Sequence, residues 1–201
     1  MQRLLTNFID LIFPPTANEK LLRTIKPDTY QQLRNGGIHK NIEYIGHYSE
    51  PLLRTAVIEN KFNHHLVATN ILGLLLKVWL AKKSGITLFI PIPLGPTRKR
   101  DRGHNQVESI LQAAGITHIN TTLLKRTTET RPQAQLQKTE RLANMKGAFT
   151  FTDSEFDFTP YTQVVLFDDV VTTGATLLAA RAELLAHIPP HIKLHCLAIA
   201  H

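Results

Sequence analysis

The sequence predicts an α/β fold: a mostly parallel sheet with helices on both faces, plus a small helical segment at the N-terminus. The first observation behind this prediction is that short apolar runs, typical of buried strands, alternate with longer stretches of helical spacing. The second is that one such run leads into two adjacent aspartates and a glycine turn, at the place where open α/β sheets bind ligands. The third is length, because 201 residues suffice for one packed domain and a small appendage.

The elements can be assigned in order along the chain. Residues 1–41 show two helical patterns, one ending at Pro14 and Pro15 and one running from residue 18 to about residue 35. Residues 42–201 are assigned to the main domain. Strands are predicted at residues 41–48, 87–92, 116–124, 148–151, 164–167 and 193–200, the last of which is expected to close the sheet. Helices are predicted at residues 50–60, 66–82, 105–114 and 174–186, with a short one at about 137–145. A proline-glycine turn and a basic loop are expected between residues 92 and 105.

Composition argues against several classes of protein. The apolar run at residues 71–81 contains Lys77 and is shorter than a membrane span, and no signal-peptide cleavage site follows the N-terminus. We therefore expect a cytoplasmic protein without an integral membrane segment. The single cysteine, Cys196, excludes an internal disulfide and lies in an apolar run, which favours a buried core position. Three of the ten histidines, His187, His191 and His195, are spaced by four, but Pro189 and Pro190 make a continuous helix there unfavourable, so no metal site is predicted.

The run from Val164 to Thr176 carries the strongest functional signal. Asp168 and Asp169, called here the acidic pair, stand where the predicted strand should end, and a threonine turn at residues 172–176 follows. Carboxylates accept hydrogen bonds from a vicinal diol such as a ribose. A helix start offers N–H groups and a positive dipole end to phosphate, and Gly174 allows a close approach of the backbone. The run therefore predicts a site for a phosphorylated, hydroxyl-bearing ligand.

Other interpretations of this run are weaker. A Walker B strand also ends in acidic residues, but the chain has no G-x-x-x-x-G-K-[ST] loop to accompany it. The G-x-G-x-x-G dinucleotide fingerprint and the D-x-D pattern of phosphatases are also absent. A plain core strand followed by a capped helix remains the structural alternative, although two carboxylates and three threonines are unusual there.

The chain is basic, with a formal net charge of +7, and its cations cluster at residues 98–102 and 125–146. A phosphate-rich small molecule, a nucleic acid or a solvated surface would each explain such clusters. We rank the small molecule first for residues 98–102 and leave nucleic acid open for the other cluster. Aromatic residues do not interleave with either cluster, so a stacking platform for single strands is not indicated.

Four segments resemble the ComF/GntX family of type I phosphoribosyltransferase-like proteins, which is linked to competence and DNA uptake in bacteria. They are YIGHYSEPLLRTAVIENKF (44–62), IPIPLGPTRKRDRGHNQ (90–106), TRPQAQLQKTERLANMKGAF (130–149) and VVLFDDVVTTGAT (164–176). The resemblance runs from about residue 42 to the C-terminus and implies a type I phosphoribosyltransferase-like fold. Family members usually open with a zinc-binding cysteine segment, but residues 1–41 contain no cysteine, so no zinc is expected.

The resemblance also implies roles toward phosphoribosyl pyrophosphate (PRPP). The acidic pair would contact the ribose and lie near the positive charge that develops in the reaction. The 5′-phosphate would be held by the threonine turn: Thr172, Thr173, Gly174, Ala175 and Thr176. The diphosphate would be bound by Leu94, Gly95, Arg98, Arg102 and Asn105. Mg²⁺ would arrive with PRPP instead of on direct protein ligands. A proline-glycine turn without a binding role is the alternative for Leu94 and Gly95.

Residues 127–147 resemble the mobile loop that covers the site in this superfamily. The positions that match the family pattern are Gln133, Gln135, Arg141 and Asn144. A long polar surface loop without a role in binding is the alternative.

The function implied by the resemblance is magnesium-dependent transfer of phosphoribosyl from PRPP to an unknown acceptor, in a competence or DNA-uptake context. Two alternatives stay open: a protein that binds PRPP without turnover, and a competence factor that binds single-stranded DNA. PRPP is the expected ligand, while single-stranded DNA, the DNA-uptake machinery and the oligomeric state are left open.

Overall fold

The centre of the fold is a five-stranded sheet, seen in a computed structural model that describes residues 16–23, 32–127 and 147–201. The strands of the chain are β1 (Gly37–His39), β2 (Ile42–Gly46), β3 (Thr87–Pro91), β4 (Leu124–Arg126), β5 (Phe149–Phe151), β6 (Gln163–Val170) and β7 (Lys193–Ala200). The helices are α1 (Ala17–Arg23), α2 (Pro51–Asn63), α3 (Leu66–Leu80), α4 (Pro96–Arg102), α5 (Gln106–Ala113) and α6 (Ala175–Leu185).

The strand order in the central sheet is β1-β2-β7-β6-β3. β1 runs antiparallel to β2, and every other neighbouring pair in this sheet is parallel. The predicted α/β fold with a mostly parallel sheet is therefore confirmed, and it agrees with a type I phosphoribosyltransferase-like fold. β7 lies in the middle of the sheet, so the expectation that it closes the sheet was wrong.

Strand β6 is buried on both faces, which explains its uninterrupted apolar sequence. Val165 and Phe167 point into the layer formed with α2, α3 and α5, while Val164 and Leu166 point into the layer formed with α6. The strand extends to Val170, three residues beyond its predicted end, because its pairing with β7 continues to that residue. The acidic pair thus belongs to the last part of the strand, and its two side chains alternate between the two faces.

The helical layer on one face depends on a close approach between α3 and α5 at Gly73. A Cβ atom at Gly73 would lie 2.7 Å from the carbonyl carbon of Ala113 and 2.8 Å from its Cβ. The apolar stripe predicted for α3 is buried around this crossing, at Leu72, Leu75, Leu76 and Trp79. The absence of a side chain at Gly73 therefore sets the distance between the two helices.

The other face of the sheet is covered by α6 and by a small antiparallel sheet of β4 and β5. The Phe151 N–H of β5 donates a hydrogen bond to Glu183 Oε1 of α6 at 2.9 Å, which joins these two elements. Cys196 is buried beneath α6 as expected, and burial raises the pKa of its thiol to about 11.

Helix α1 docks onto α2. Leu22 is buried in the same apolar layer as α2 and α3, and Asn18 Nδ2 donates a hydrogen bond to Glu59 Oε1 at 2.7 Å. The predicted helix from residue 18 to about 35 is described only in part, and the pattern before Pro14 lies outside the described residues.

Strand β1 was not predicted. It is joined to β2 by Lys40 and Asn41 at φ 50° and 63°, the backbone of a tight hairpin turn.

Two predicted elements differ from the structure. Residues 96–102 form helix α4, not a basic loop, because Pro96 suits a first helical turn and Gly103 ends the helix at φ 71°. The strand predicted at residues 116–124 is reduced to one bridge between Ile119 and Phe89 and to the first residue of β4. Asn120 explains the interruption, since its Oδ1 accepts hydrogen bonds from the N–H groups of Thr122 and Leu123, each at 2.9 Å.

Within residues 16–23, 32–127 and 147–201, none of the helices has both the length and the apolar character needed to cross a membrane.

We predict that Gly73→Ala destabilises the protein by about 1–3 kcal/mol, because the added methyl group forces α3 and α5 apart. Chemical denaturation with circular dichroism measures this change in the free energy of unfolding. Asn70→Ala, at an exposed position one turn earlier in the same helix, is the matched control and should change stability by less than about 0.5 kcal/mol. Equal effects of the two substitutions would contradict the close helix crossing.

Candidate ligand-binding site

A cavity of about 600 Å³, called here the main cavity, lies at the carboxyl ends of β3 and β6. This is the edge at which parallel sheets bind ligands. Its lining comes from the segments after β2, β3, β6 and β7 and from helices α2, α4 and α5. The lining includes these sequence-predicted residues: Leu94, Arg98, Arg102, Asp168, Asp169, Thr172 and Thr176. Residues that are separated by up to 82 positions in the chain therefore meet around one space of the size of a small-molecule site.

Asp169 is held firmly on the side of the cavity formed by α5. Its side chain is only 5% exposed, and its two oxygens accept separate hydrogen bonds. The Val170 N–H donates to Oδ1 at 2.8 Å, and Gln106 Nε2 donates to Oδ2 at 3.2 Å. These two hydrogen bonds fix the orientation of the Asp169 carboxyl group at the wall of the cavity.

Asp168 faces a different environment from Asp169. It lines both the main cavity and an adjacent recess at the threonine turn, and its Oδ1 accepts a hydrogen bond from the Asp169 N–H at 2.9 Å. Burial, and then the neighbouring Asp169 carboxylate, raise the pKa of Asp168 well above its usual range; the charge of Lys61 acts in the opposite direction. The acidic pair is therefore electrostatically unequal, and Asp168 is the member that takes up a proton more readily.

The threonine turn forms the recess beside the acidic pair. Gly174 precedes α6 at φ 79°, a left-handed conformation that strains any residue with a side chain. The recess is lined by Asp168 and by the segment from Val170 to Leu177, which includes Thr173, Gly174 and Ala175. Its geometry is fixed from outside as well, since Lys40 Nζ donates a hydrogen bond to the Thr173 carbonyl oxygen at 3.0 Å. The recess lies at the positive end of α6, which suits an anionic group.

The basic segment, residues 98–102, reaches the main cavity but not the recess. Arg98 and Arg102, both on α4, reach the main cavity, as does Leu94 in the turn that follows β3. Partial burial, and then the charge of Arg98, lower the pKa of Arg102, while Asp169 raises it. The cavity therefore holds guanidinium groups beside a carboxylate pair.

Two of the predicted residues lie outside the linings of the main cavity and the recess. Gly95 is the N-cap of α4, with φ −63° and ψ 154°. Asn105 is the N-cap of α5: its Oδ1 accepts a hydrogen bond from the Val107 N–H at 3.1 Å, and its Nδ2 donates to the Ile92 carbonyl at 3.1 Å. The Asn105 side chain ties the start of α5 to the end of β3, so a structural role accounts for its amide.

Several cavity residues were not selected from the sequence. They are Tyr48, Ile58, Lys61, Phe62, Gln106, Arg126 and His201. The sequence contained a signal for α2. Lys61 and Phe62 follow Ile58 by three and four residues, so these side chains are neighbours on one face of the helix. Gln106 was noted within the family-like segment, but its contact with Asp169 depends on how α5 packs against β6. The residues predicted for the mobile loop, 133–144, lie outside the described part of the chain.

The charged lining of the main cavity is mainly cationic. In the described residues, no group of three or more histidine, cysteine, aspartate or glutamate side chains could hold a metal ion. The cavity instead combines two carboxylates with four cationic side chains, Lys61, Arg98, Arg102 and Arg126. This arrangement can bind a ligand that carries several negative charges together with hydroxyl groups.

Comparison with known proteins supports the resemblance noted in the sequence. The chain is 35% identical over 144 residues to competence protein F of Haemophilus influenzae, covering 66% of this chain and 61% of that protein. It is 36% identical over 89 residues to competence protein ComFC of Streptococcus pneumoniae, covering 44% of this chain and 37% of that protein. No family model matches the chain. The matched parts thus span about three fifths of the first relative and just over a third of the second. Together with the α/β fold, these similarities support the resemblance of the chain to competence proteins of the ComF type.

Proposed function

We propose that this protein binds PRPP in the main cavity and transfers its phosphoribosyl group, with magnesium, to an acceptor. The observation that carries the proposal is that the acidic pair, the threonine turn and two arginines of α4 line one continuous region. PRPP has a matching order of groups, with a 5′-phosphate, a ribose diol and a diphosphate. Asp168 lines both the recess and the main cavity, so the acidic pair connects the hydrogen-bonding threonine turn with the cationic side chains of α4, and this matches the order of groups in PRPP.

In this proposal the ribose lies against the acidic pair. Its two hydroxyl groups can donate hydrogen bonds to Asp168 and Asp169, which accept them best when ionised. Hydrogen-bond donation by the ligand favours the ionised form of Asp168, whose pKa is raised in the free protein. Ligand binding should therefore release a proton from Asp168 at pH values below that raised pKa.

The phosphate groups occupy the two ends. The recess at the threonine turn takes the 5′-phosphate, because it combines the start of α6 with hydroxyl groups of Thr172 and Thr176. The diphosphate lies toward Leu94, Arg98 and Arg102, since guanidinium groups match phosphate oxygens in a bidentate fashion. Lys61 and Arg126, which line the same cavity, add positive charge that suits a polyanion.

Magnesium fits this site as a companion of the diphosphate. Two carboxylates and an otherwise cationic lining favour a metal ion carried mainly by substrate phosphates, which is how Mg²⁺ commonly binds in proteins. When bound, it neutralises charge on the diphosphate as that group departs. The role of the chain itself is to orient the ribose and to place the negative charge of Asp169 near the developing positive charge.

The biological setting that we propose is competence or DNA uptake, because both relatives are named competence proteins. Binding of PRPP without turnover is an alternative that uses the same residues. Incubation of labelled PRPP with a panel of acceptors separates the two: release of diphosphate with any acceptor supports the transferase, and its absence with all of them leaves a PRPP-binding protein.

We predict that Asp168→Asn combined with Asp169→Asn weakens magnesium-dependent PRPP binding at least about 100-fold, because two hydrogen bonds to charged acceptors are lost. Isothermal titration calorimetry measures the affinity. The control is Asp153→Asn combined with Glu155→Gln, which removes the same charge at exposed positions outside the cavity. Absence of binding by the wild type, or undiminished binding by the double variant, would overturn the proposal.

Asp168 should also make stability depend on pH. Its pKa is higher in the folded than in the unfolded protein, so its contribution to stability is present below about pH 4 and is lost as pH rises through the raised value. We therefore predict that Asp168→Asn melts at a higher temperature than the wild type at pH 8, with a smaller difference at pH 4. Each 1 kcal/mol corresponds to about 2–4 °C in a domain of this size. Asp101→Asn, at an exposed position, is the control. If the melting temperatures of Asp168→Asn and the wild type differ by the same amount at pH 4 and pH 8, the prediction is wrong.

Single-stranded DNA is a second candidate ligand, favoured by the exposed cations of α4. Lys99 and Arg100 are exposed on this helix and do not line the main cavity. If DNA binds here, Lys99→Ala combined with Arg100→Ala should reduce the slope of log affinity against log salt by about 1.4, because each phosphate contact contributes ~0.7. PRPP affinity should stay unchanged. Filter binding at several salt concentrations measures the slope, with Lys77→Ala combined with Lys82→Ala on and after α3 as control. Lack of DNA binding at low salt would rule this candidate out.

A further inference from the structure

A connected series of hydrogen bonds runs from the interior of the helical layer to the acidic pair. Thr69 Oγ1 donates to Asn60 Oδ1 at 2.8 Å, and Asn60 Nδ2 donates to the Gln106 carbonyl oxygen at 3.2 Å. Gln106 Nε2 then donates to Asp169 Oδ2 at 3.2 Å. Thr69, Asn60, Gln106 and Asp169 are all buried. A buried polar network whose members all have partners holds its side chains in one arrangement.

Gln106 is the point at which this series meets the cationic side of the cavity. Its side-chain oxygen, Oε1, accepts a hydrogen bond from Arg102 Nη1 at 3.2 Å, while its nitrogen donates to Asp169. One amide group thus connects a guanidinium to a carboxylate. The amide of glutamine carries an acceptor and a donor on one flexible side chain, and that of asparagine is one methylene shorter.

Arg102 and Asp169 form no direct ion pair in the structure, although the charge of Asp169 acts on Arg102. A direct pair would be favoured here, because Arg102 is partly buried and Asp169 is buried. Such a pair would occupy the oxygens and N–H groups that a ligand needs. The amide of Gln106 keeps the two charges connected but apart.

We propose that Gln106 is a positioning residue that acts as a neutral spacer and prevents Arg102 and Asp169 from closing on each other. It holds Arg102 toward the diphosphate end and Asp169 toward the ribose end of the main cavity. The backbone of Gln106 is fixed for this task at the start of α5, by Asn60 and by the N-cap Asn105. This inference rests on the proposed function for the identity of the ligand, but the spacing of the two charges exists without any ligand.

The first test is made without PRPP. The titration of Asp169 is followed by NMR of ¹³C-labelled aspartate carboxylates, with Asp168→Asn and Asp169→Asn used to assign the resonances. The charged and titratable groups that line the cavity with Asp169 are Asp168 in β6, Lys61 on α2, Arg98 and Arg102 on α4, Arg126 on β4, Tyr48 after β2 and His201 after β7. In Gln106→Met, which retains similar volume, Arg102 should pair directly with Asp169 and lower its titration midpoint by about one pH unit. Gln112→Met, at an exposed position on the same helix, should leave the midpoint unchanged.

Other outcomes of this test overturn the proposal. An unchanged midpoint in Gln106→Met means that Gln106 has a packing role alone, and a raised midpoint means that it donates a hydrogen bond without acting as a spacer. If Gln106→Met does not fold, Gln106→Glu replaces it, since glutamate keeps the shape and the contact with Arg102. The new carboxylate would then repel Asp169 and raise its titration midpoint. An unchanged midpoint in Gln106→Glu would show that residue 106 does not contact Asp169, which would overturn the proposal.

The second test measures PRPP affinity in the presence of magnesium. Gln106→Met should weaken binding at least about tenfold, the equivalent of one charged hydrogen bond, while Gln112→Met should bind like the wild type. Normal affinity in Gln106→Met would overturn the spacer role. If the wild type does not bind PRPP, the proposed function fails, but the ligand-free titration still decides whether Gln106 separates the two charges.

Discussion

The parallel pairing of β6 between β3 and β7 is the constraint on which the site depends. It brings the carboxyl ends of three strands to one edge, so that the segments following them face a common space. It also buries β6 on both faces, which gives the acidic pair a rigid base that a surface loop would not provide. The threonine turn and α6 continue directly from this strand, and their position follows from its direction. A shift of β6 by one residue would exchange the environments of Asp168 and Asp169.

The adjacent carboxylates that suit the site to a ligand lower the stability of the free protein. Two adjacent carboxylates in a partly dry position are unfavourable for the free protein, and the raised pKa of Asp168 expresses that cost. Asp169 accepts hydrogen bonds from a backbone N–H and from Gln106, whereas Asp168 accepts one from the Asp169 N–H and would gain others from the ligand that we propose. A strand end that served packing alone would gain stability from neutral residues in place of such a pair.

Sequence reasoning identified the features that lie close together in the chain. The apolar runs of β3 and β6 and the apolar stripe on α3 predicted the sheet and a helical layer, because the spacing of apolar residues along the chain shows which faces are buried. The acidic pair and the threonine turn were found for the same reason, since they are contiguous. The helical state of residues 96–102 was missed because a charged, exposed segment has no apolar stripe.

The parts of the site that escaped prediction depend on distant contacts. Lys61 and His201 reach the main cavity from α2 and from the end of β7, which are far apart in sequence. Asn105 was assigned to the diphosphate through the resemblance of residues 90–106 to the family, and in the structure its amide links α5 to β3. No local pattern distinguishes those two uses of an asparagine.

The central position of β7 has a consequence for the order in which the protein assembles. β7 follows every other described strand along the chain, yet it lies between β2 and β6 and joins the two halves of the sheet. Until β7 pairs, the edges of β2 and β6 that it occupies are therefore unpaired. Long-range parallel pairing forms slowly, and exposed edges of this kind are prone to association with other chains. Because His201, directly after β7, lines the main cavity, the pairing that joins the two halves of the sheet also completes the wall of that cavity.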